Sequence, residues 1–310
     1  MVRLEDSRSD CLSERSSNQK NGRRASTTSY DEVYGKKSKS CGKYRLIKIQ
    51  TKALLMEYYC SPVSALRNVK TFRDNYLLSD PKNKDYLQAA FDDFGKDIND
   101  MTLRNIYDML KDKHPIFLGM PYGTLEESVQ IVDELLRFQF HDDTESICKF
   151  LRAIIDVVDK RIPKLNCLCV CSQPSSGKNF FFDMLFALCL NYGQLGQANR
   201  HNVFAFQDAV NKRILLWNEP NYESALLDTI KMMLGGDPYT VRVKNQLDQH
   251  VQRTPVIVLT NTPVGFMNDR AFAERLVTYN WKPATFLKDI LYKPYPMAFF
   301  EILNKYEIDY

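Results

Sequence analysis

A chain of 310 residues, 44% of them apolar, is long enough to bury a substantial core and to hold two modest domains. Its net charge of +4 does not by itself indicate a polyanionic partner, because the distribution of charge matters more than the sum. The eight cysteines lack the close spacing of a small secreted framework, so we expect reduced thiols. No apolar segment approaches the roughly 20 residues that span a bilayer, and we expect no membrane association.

Residues 1–40 are rich in Ser, Arg, Lys and Asn and contain almost no large apolar side chains. Such a composition cannot offset the entropy of ordering, which predicts a disordered tail. The cluster Lys36-Lys37-Ser38-Lys39 is either part of that solvated tail or a nuclear localisation signal.

Residues 41–163 form a mainly helical region by their pattern. Thr124 and Glu127 have the spacing of a capping box ahead of an apolar helix. The next helix carries an apolar stripe at Ile147, Leu151, Ile154 and Val158. We expect these faces to pack internally, with oligomerisation as their alternative use.

The pattern changes over residues 164–283, where short apolar runs alternate with helical or loop segments. The runs are Leu165–Val170, Arg213–Trp217 and Pro255–Thr260. Apolar runs of this length are typical of strands buried on both faces, so the sequence predicts an α/β fold with a parallel sheet. Cys167, Cys169 and Cys171 alternate with Leu168 and Val170 in and just after the first run, and they indicate buried strand thiols rather than zinc ligands. Residues 284–310 are a C-terminal extension with a final helix over Pro296–Tyr306.

The first run leads into a candidate phosphate-binding loop. Such a loop needs a strand end, exposed backbone N–H groups, a lysine and a helix N-terminus facing the anion. Gly177 and Lys178 match the G-x-x-x-x-G-K-[ST] pattern, whereas Ser172 replaces its first glycine and Asn179 its final hydroxyl residue. The candidate nucleotide-binding residues are Ser172, Pro174, Ser175, Ser176, Gly177, Lys178 and Asn179. The alternative to a phosphate-binding loop is a surface turn that binds no ligand.

Two further runs end in polar side chains suited to the same site. Asn218 and Glu219 follow the second run, and Asn261 follows the third. Because ligands bind at the carboxyl ends of parallel strands, Glu219 is placed to polarise an attacking water and to help hold Mg²⁺. The side-chain carbonyl of Asn179 is also an oxygen ligand that Mg²⁺ accepts, and Asn261 can hydrogen-bond a γ-phosphate.

A turn and a predicted β-hairpin lie between Glu219 and Asn261. The hairpin carries Arg242 and Lys244, which either contact a nucleic-acid backbone or lie on a solvated strand face.

The order Gly-Lys-Asn, Trp-Asn-Glu-Pro, Leu-Gly-Gly-Asp, basic hairpin and Thr-Pro-Val-Ile-Val-Leu-Thr-Asn resembles the superfamily 3 helicase domain of small DNA viruses. The sequences of these motifs are most similar to those of the large non-structural replication protein of parvoviruses, in the densovirus branch. The resemblance is strong over residues 164–283, weaker over 50–163 and absent from the first 40.

The resemblance implies an AAA+ type P-loop core that assembles into a ring, commonly a hexamer. It also implies ATP and Mg²⁺ as ligands, single-stranded DNA as partner, 3′-to-5′ movement and a nuclear location. Lys178 would contact the β and γ phosphates, Glu219 the catalytic water and Asn261 the γ-phosphate. Arg275 resembles the arginine finger that is donated to a neighbouring subunit, with Arg270 as a substitute.

Two departures from the family pattern leave other functions open. Lys244 matches the first basic position of the DNA-binding hairpin, but Gln246 stands at the second. The four histidines stand singly, so the metal motif of the family's nicking nuclease is not found in this sequence. The alternatives to an active helicase module are a catalytically weakened relic that binds nucleotide or DNA, and a P-loop ATPase that does not act on DNA.

Overall fold

The computed structural model describes residues 31–310 except Met120 and Arg200, and of residues 31–41 it describes the backbone alone. Most of the predicted tail therefore lies outside the described residues, as do the side chains of the Lys36 to Lys39 cluster. The first helix, α1, begins at Asp31, inside the range predicted as tail. Residues 43–310 form one compact unit, and the described residues before Lys43 do not belong to it.

The helices and strands alternate only in the second half of the chain. The helices are α1 (Asp31–Tyr58), α2 (Lys70–Arg73), α3 (Tyr76–Ser79), α4 (Lys84–Asn99), α5 (Leu103–Leu110), α6 (Leu125–Gln139), α7 (Thr144–Val158), α8 (Lys178–Leu188), α9 (Leu227–Gly235) and α10 (Ala298–Lys305). The strands are β1 (Cys167–Ser172), β2 (Tyr192–Gln194), β3 (Ile214–Asn218), β4 (Tyr239–Val241), β5 (Gln249–Val251), β6 (Val256–Thr260) and β7 (Leu276–Trp281).

The local signals read from the sequence of the helical region are confirmed. At the start of α6 the Thr124 hydroxyl accepts from the N–H of Glu127 at 3.2 Å, and the Glu127 carboxylate accepts from the N–H of Thr124 at 2.8 Å. These reciprocal bonds satisfy donors that a helix N-terminus otherwise leaves open. On α7 the whole predicted stripe is buried. Across the described residues, no helix is both long and apolar enough to cross a membrane.

Five strands form one parallel sheet in the order β2-β3-β6-β1-β7. The three apolar runs, which correspond to β1, β3 and β6, predict such a parallel sheet. Strand β1, the first along the chain, lies inside the sheet between β6 and β7. Because the strands are parallel, the ends of β1, β3 and β6 lie side by side at one edge of the sheet. A separate antiparallel pair, β4 with β5, forms the predicted hairpin.

The sheet is covered on both faces. On one face Leu168, Val170 and Ile257 pack in a single core with side chains of the helical region. On the other face Trp217 and Val258 pack against α9 and the hairpin. The helical region and the sheet thus share apolar surface, which is the dominant stabilising term in such a fold.

A buried ion pair joins the helical region to the sheet. Arg213, directly before β3, donates from Nη2 to the Asp159 carboxylate at 3.0 Å and from Nη1 to the Val158 carbonyl at 3.3 Å. The side chains of Arg213 and Asp159 are 1% and 2% exposed. Asp159 also accepts from the N–H of Leu103 at 2.9 Å, so one carboxylate connects α5, α7 and the sheet.

Replacement of Arg213 by Met should therefore lower the free energy of unfolding by about 3–5 kcal/mol, since it leaves the Asp159 charge buried without its partner. Urea denaturation followed by far-UV circular dichroism measures this loss. Arg152→Met, at an exposed position on α7, is the matched control and should stay within about 0.5 kcal/mol of wild type. A loss for Arg213→Met no larger than that of the control would contradict the prediction.

Candidate functional site

The loop after β1 has the geometry of an anion-binding turn. Ser175 and Gly177 have positive φ angles of 63° and 83°, and Gly177 is the N-cap of α8. The turn at Pro174 and Ser175 uses the N–H of Ser176, whereas no acceptor among the described residues bonds the backbone N–H groups of Gly177 or Lys178. Successive free N–H groups at the start of a helix form a site for phosphate or another anion.

Lys178 is the first residue of α8, and its side chain turns back over the end of β1. The Nζ atom lies 2.5 Å from Asn261 Oδ1, 3.3 Å from Ser172 Oγ and 3.7 Å from Glu219 Oε1. Burial lowers the pKa of Lys178, and the nearby Glu219 carboxylate opposes that shift. A cation that is 7% exposed and sits beneath a loop of free N–H groups adds positive charge where an anion would bind.

Glu219 is held at the end of β3 by the neighbouring strand. Its Oε2 accepts from the backbone N–H of Asn261 at 2.9 Å and from the Thr260 hydroxyl at 3.3 Å. Its φ of 47° is left-handed, an arrangement that costs a non-glycine residue about 1–3 kcal/mol and clusters at functional sites. The left-handed turn and the two hydrogen bonds together fix the carboxylate beside Lys178.

These side chains surround one cleft of about 380 Å³. It is lined by Pro174, Ser175, Ser176, Gly177, Lys178, Asn179, Phe180, Asn218, Glu219 and Asn261. The volume lies in the range of small-ligand sites. The structure therefore brings the predicted loop residues together with both polar strand ends. Ser172, the last residue of β1, lies buried beneath them and accepts hydrogen bonds from Ser176 Oγ and Lys178 Nζ.

The donor set of this cleft fits Mg²⁺. The Oδ1 atom of Asn218 is buried and has no hydrogen-bond partner within the described part of the chain, which is costly for a polar atom. Asn179 and Glu219 present further side-chain oxygens to the same space. Magnesium prefers oxygen ligands and is commonly held by one or two carboxylates together with phosphates and water.

Arg275 lies at the amino-terminal ends of the strands, opposite to the carboxyl ends that carry the cleft. It directly precedes β7, whose first residue pairs with Cys167 at the start of β1, whereas Lys178 lies beyond the other end of β1. Five residue steps separate the two ends of the paired strands, or about 16 Å at 3.3 Å per step. The Arg275 guanidinium packs against Gly235 and donates from Nη1 to the Ala271 carbonyl. Arg275 is therefore positioned away from the cleft of its own chain.

The hairpin residues also lie apart from the cleft. Strand β4 ends at Val241, so Arg242 and Lys244 belong to the segment that connects β4 to β5. Both side chains are exposed, and neither has an ion-pair partner among the residues described. The basic residues thus lie in the segment between the two strands and not within a strand.

Two groups that hold the loop were not anticipated from the sequence. The side-chain amide of Gln139, the last residue of α6, donates to the Ser176 carbonyl at 2.9 Å. The backbone N–H of Ala284 donates to the Ser175 carbonyl at 2.8 Å. No local pattern reveals these contacts, because they join segments far apart in the chain.

The five-stranded parallel sheet and the helices that cover it define an α/β protein with an AAA+ type core. Consistent with this fold, a crystal structure of JCV helicase superposes with a TM-score of 0.53 and 16% identity, over 78% of this chain and 73% of that one.

Sequence comparison gives the family. Residues 126–279 match the family described as parvovirus non-structural protein NS1. The initiator protein NS1 of Junonia coenia densovirus is 57% identical over 295 residues, covering 91% of this chain and 54% of that protein. The counterpart from Diatraea saccharalis densovirus is 57% identical over 290 residues, covering 90% and 53%. The chain belongs to the parvovirus NS1 family, in its densovirus branch, and it spans about half the length of these curated relatives.

Proposed function

We propose that the chain is an ATP-dependent DNA helicase module that serves replication of a small single-stranded, parvovirus-like genome. The observation that carries this proposal is the convergence of Lys178, Glu219 and Asn261 beneath the loop, at the ends of three adjacent parallel strands. Membership of a family whose relatives are named initiator proteins supports the link to replication. The host nucleus is the site of action that we propose.

We propose the following roles in ATP hydrolysis for the polar groups of the cleft. The loop N–H groups and Lys178 bind the β and γ phosphates, and Asn261 contacts the γ-phosphate. Glu219 orients the attacking water, and Asn179, Asn218 and Glu219 hold Mg²⁺ directly or through water. When bound, Mg²⁺ neutralises charge on the phosphate oxygens as the transition state forms.

The position of Arg275 supports assembly into a ring. Arg275 lies at the far end of the paired strands, which are about 16 Å long, so we propose that it acts on the cleft of another subunit and not on its own. Head-to-tail contacts of this kind close into rings, and a hexamer is the form we propose. Assembly then completes the ATP site.

The exposed Arg242 and Lys244 are the proposed contacts to single-stranded DNA. Each phosphate contact contributes about −0.7 to the slope of log affinity against log salt for single strands. Lys244→Ala should therefore weaken binding and flatten the slope by about 0.7, whereas Gln246→Lys should strengthen binding and steepen it by a similar amount.

Fluorescence anisotropy of a labelled oligonucleotide at several salt concentrations measures both slopes. Lys113→Ala removes an exposed lysine of the helical region and is the control that should change neither quantity. Wild-type affinity and slope in Lys244→Ala would instead support a P-loop ATPase that does not act on DNA.

The proposed function is tested by strand separation. With ATP and Mg²⁺, the wild-type chain should unwind a duplex that carries a 3′ single-stranded tail, and Lys178→Ala should not. Absence of unwinding by wild type, with nucleotide binding retained, would support the second candidate function: a weakened relic that binds nucleotide or DNA without turnover. Ser172, Asn179 and Gln246, which depart from the family pattern, are the observations that favour this candidate.

A further inference from the structure

We propose that Gln139 is a positioning residue of the ATP site: from the helical region, its side-chain amide sets the direction of the phosphate-binding N–H groups of the loop. This inference rests on the proposed function, since it concerns the same nucleotide site. Gln139 ends α6 and is 6% exposed.

The Gln139 amide makes three hydrogen bonds, all to backbone. Its Nε2 donates to the Ser176 carbonyl at 2.9 Å and to the Lys282 carbonyl at 2.8 Å. Its Oε1 accepts from the N–H of Lys282 at 2.8 Å. This pattern fixes the orientation of the amide, because a flipped amide would face two carbonyls with its oxygen and an N–H with its nitrogen. One side chain thus joins α6, the loop and the residue that follows β7.

The bond to Ser176 has a direct geometric consequence for the loop. In a planar trans peptide the C=O and the next N–H point in opposite directions. With the Ser176 carbonyl held toward Gln139, the N–H of Gly177 points the other way. The Ser175 carbonyl is held in the same manner by Ala284, which orients the N–H of Ser176. The N–H of Ser176 closes the turn with the Gln173 carbonyl. The N–H of Gly177 has no protein partner among the described residues and is available to an anion.

Neighbouring contacts make the loop dependent on the helical region. A side chain added at Gly177 would lie 2.6 Å from Leu287 and 3.0 Å from Leu135, which is also on α6. The loop is therefore packed against α6 as well as hydrogen-bonded to it. The helical region thereby contributes to nucleotide affinity, beyond any role in assembly.

Two substitutions separate positioning from simple stability. Gln139→Met keeps the approximate length and removes all three hydrogen bonds. Gln139→Glu keeps an acceptor for the Lys282 N–H but, when ionised, loses the donor to Ser176. Gln130→Met, at an exposed position on the same helix, is the matched control.

The affinity for a fluorescent ADP analogue with Mg²⁺, measured by titration of the full chain, is the primary readout. Each Gln139 variant should bind about tenfold more weakly at pH 8, and the KM for ATP should rise more than kcat falls. The melting temperature of each variant is measured in parallel. The titrations are analysed with the concentration of binding-competent sites, so that unfolded protein does not count as weak binding. Wild-type affinity and KM in both Gln139 variants, whatever their melting temperature, would overturn the inference.

The pH dependence supplies a second readout that a structural role alone would not change. Burial raises the pKa of a carboxyl group, and a protonated Glu can donate to the Ser176 carbonyl. The affinity of Gln139→Glu relative to wild type should thus recover as pH falls from 8 to 5.5, while that of Gln139→Met stays constant. No recovery would contradict the inference. Failure of wild type itself to bind the analogue would instead overturn the proposed function, and the inference with it.

Discussion

Arg275→Ala should lower the ATP turnover of the assembled protein by about 1,000-fold or more, while nucleotide affinity stays close to that of wild type. An arginine that stabilises transition-state charge contributes about 10³–10⁵ to the rate of phosphoryl transfer. The residue lies at the edge of the sheet opposite Lys178, so the loss arises at a neighbouring subunit's cleft and leaves the chain's own loop intact. ATPase rates and nucleotide titrations on the same preparation measure the two quantities.

A mixing experiment tests whether Arg275 acts between subunits. Lys178→Ala chains keep Arg275 but have a defective loop. Arg275→Ala chains keep an intact loop but lack the arginine. Mixed assemblies should regain part of the activity that neither variant has alone, because some interfaces combine an intact loop with an intact arginine. Arg270→Ala, five residues earlier and exposed, is the control and should retain turnover. No gain on mixing, or a larger loss in the Arg270 variant, would contradict the assignment.

Glu219→Gln should reduce ATP turnover by about 10²–10⁴-fold with nucleotide binding preserved. General-base and water-orienting groups contribute about this much. A glutamine has nearly the same shape and can still accept from the Asn261 N–H, so the strand ends stay joined while the charge beside Mg²⁺ and water is lost. Steady-state kinetics and ADP titration measure the two effects.

The matched control for Glu219→Gln is Glu134→Gln, at an exposed position on α6. It should leave turnover unchanged. A Glu219→Gln protein that hydrolyses ATP within a few-fold of the wild-type rate would show that this carboxylate does not act in the reaction.

The arrangement of the cleft follows from sequence because its information is local. A buried apolar run predicts each strand, and parallel pairing then places the residue after each strand at one edge. Glu219 and Asn261 could be placed at one edge of the sheet on these grounds, and the loop after β1 brings Lys178 to the same edge. The capping box of α6 and the stripe of α7 are equally local and are confirmed.

Contacts between distant segments could not be read from the sequence. Gln139 resembles any other polar residue near a helix end, and its partners Ser176 and Lys282 lie far along the chain. The buried pair of Arg213 and Asp159 likewise depends on how the fold brings the residue before β3 to the end of α7. Such residues appear only when the three-dimensional arrangement is known, since no periodicity or spacing marks them.

The most direct test of an ATP-hydrolysing site at the loop after β1 is the rate of ATP hydrolysis with Mg²⁺, with and without single-stranded DNA, in wild type and Lys178→Ala. Removal of one preorganised charge or donor from such a site costs about 10²–10³ in rate. We predict that DNA raises the wild-type rate and that Lys178→Ala loses at least about 100-fold of it. Equal rates in the two proteins, or no hydrolysis by wild type, would contradict the account.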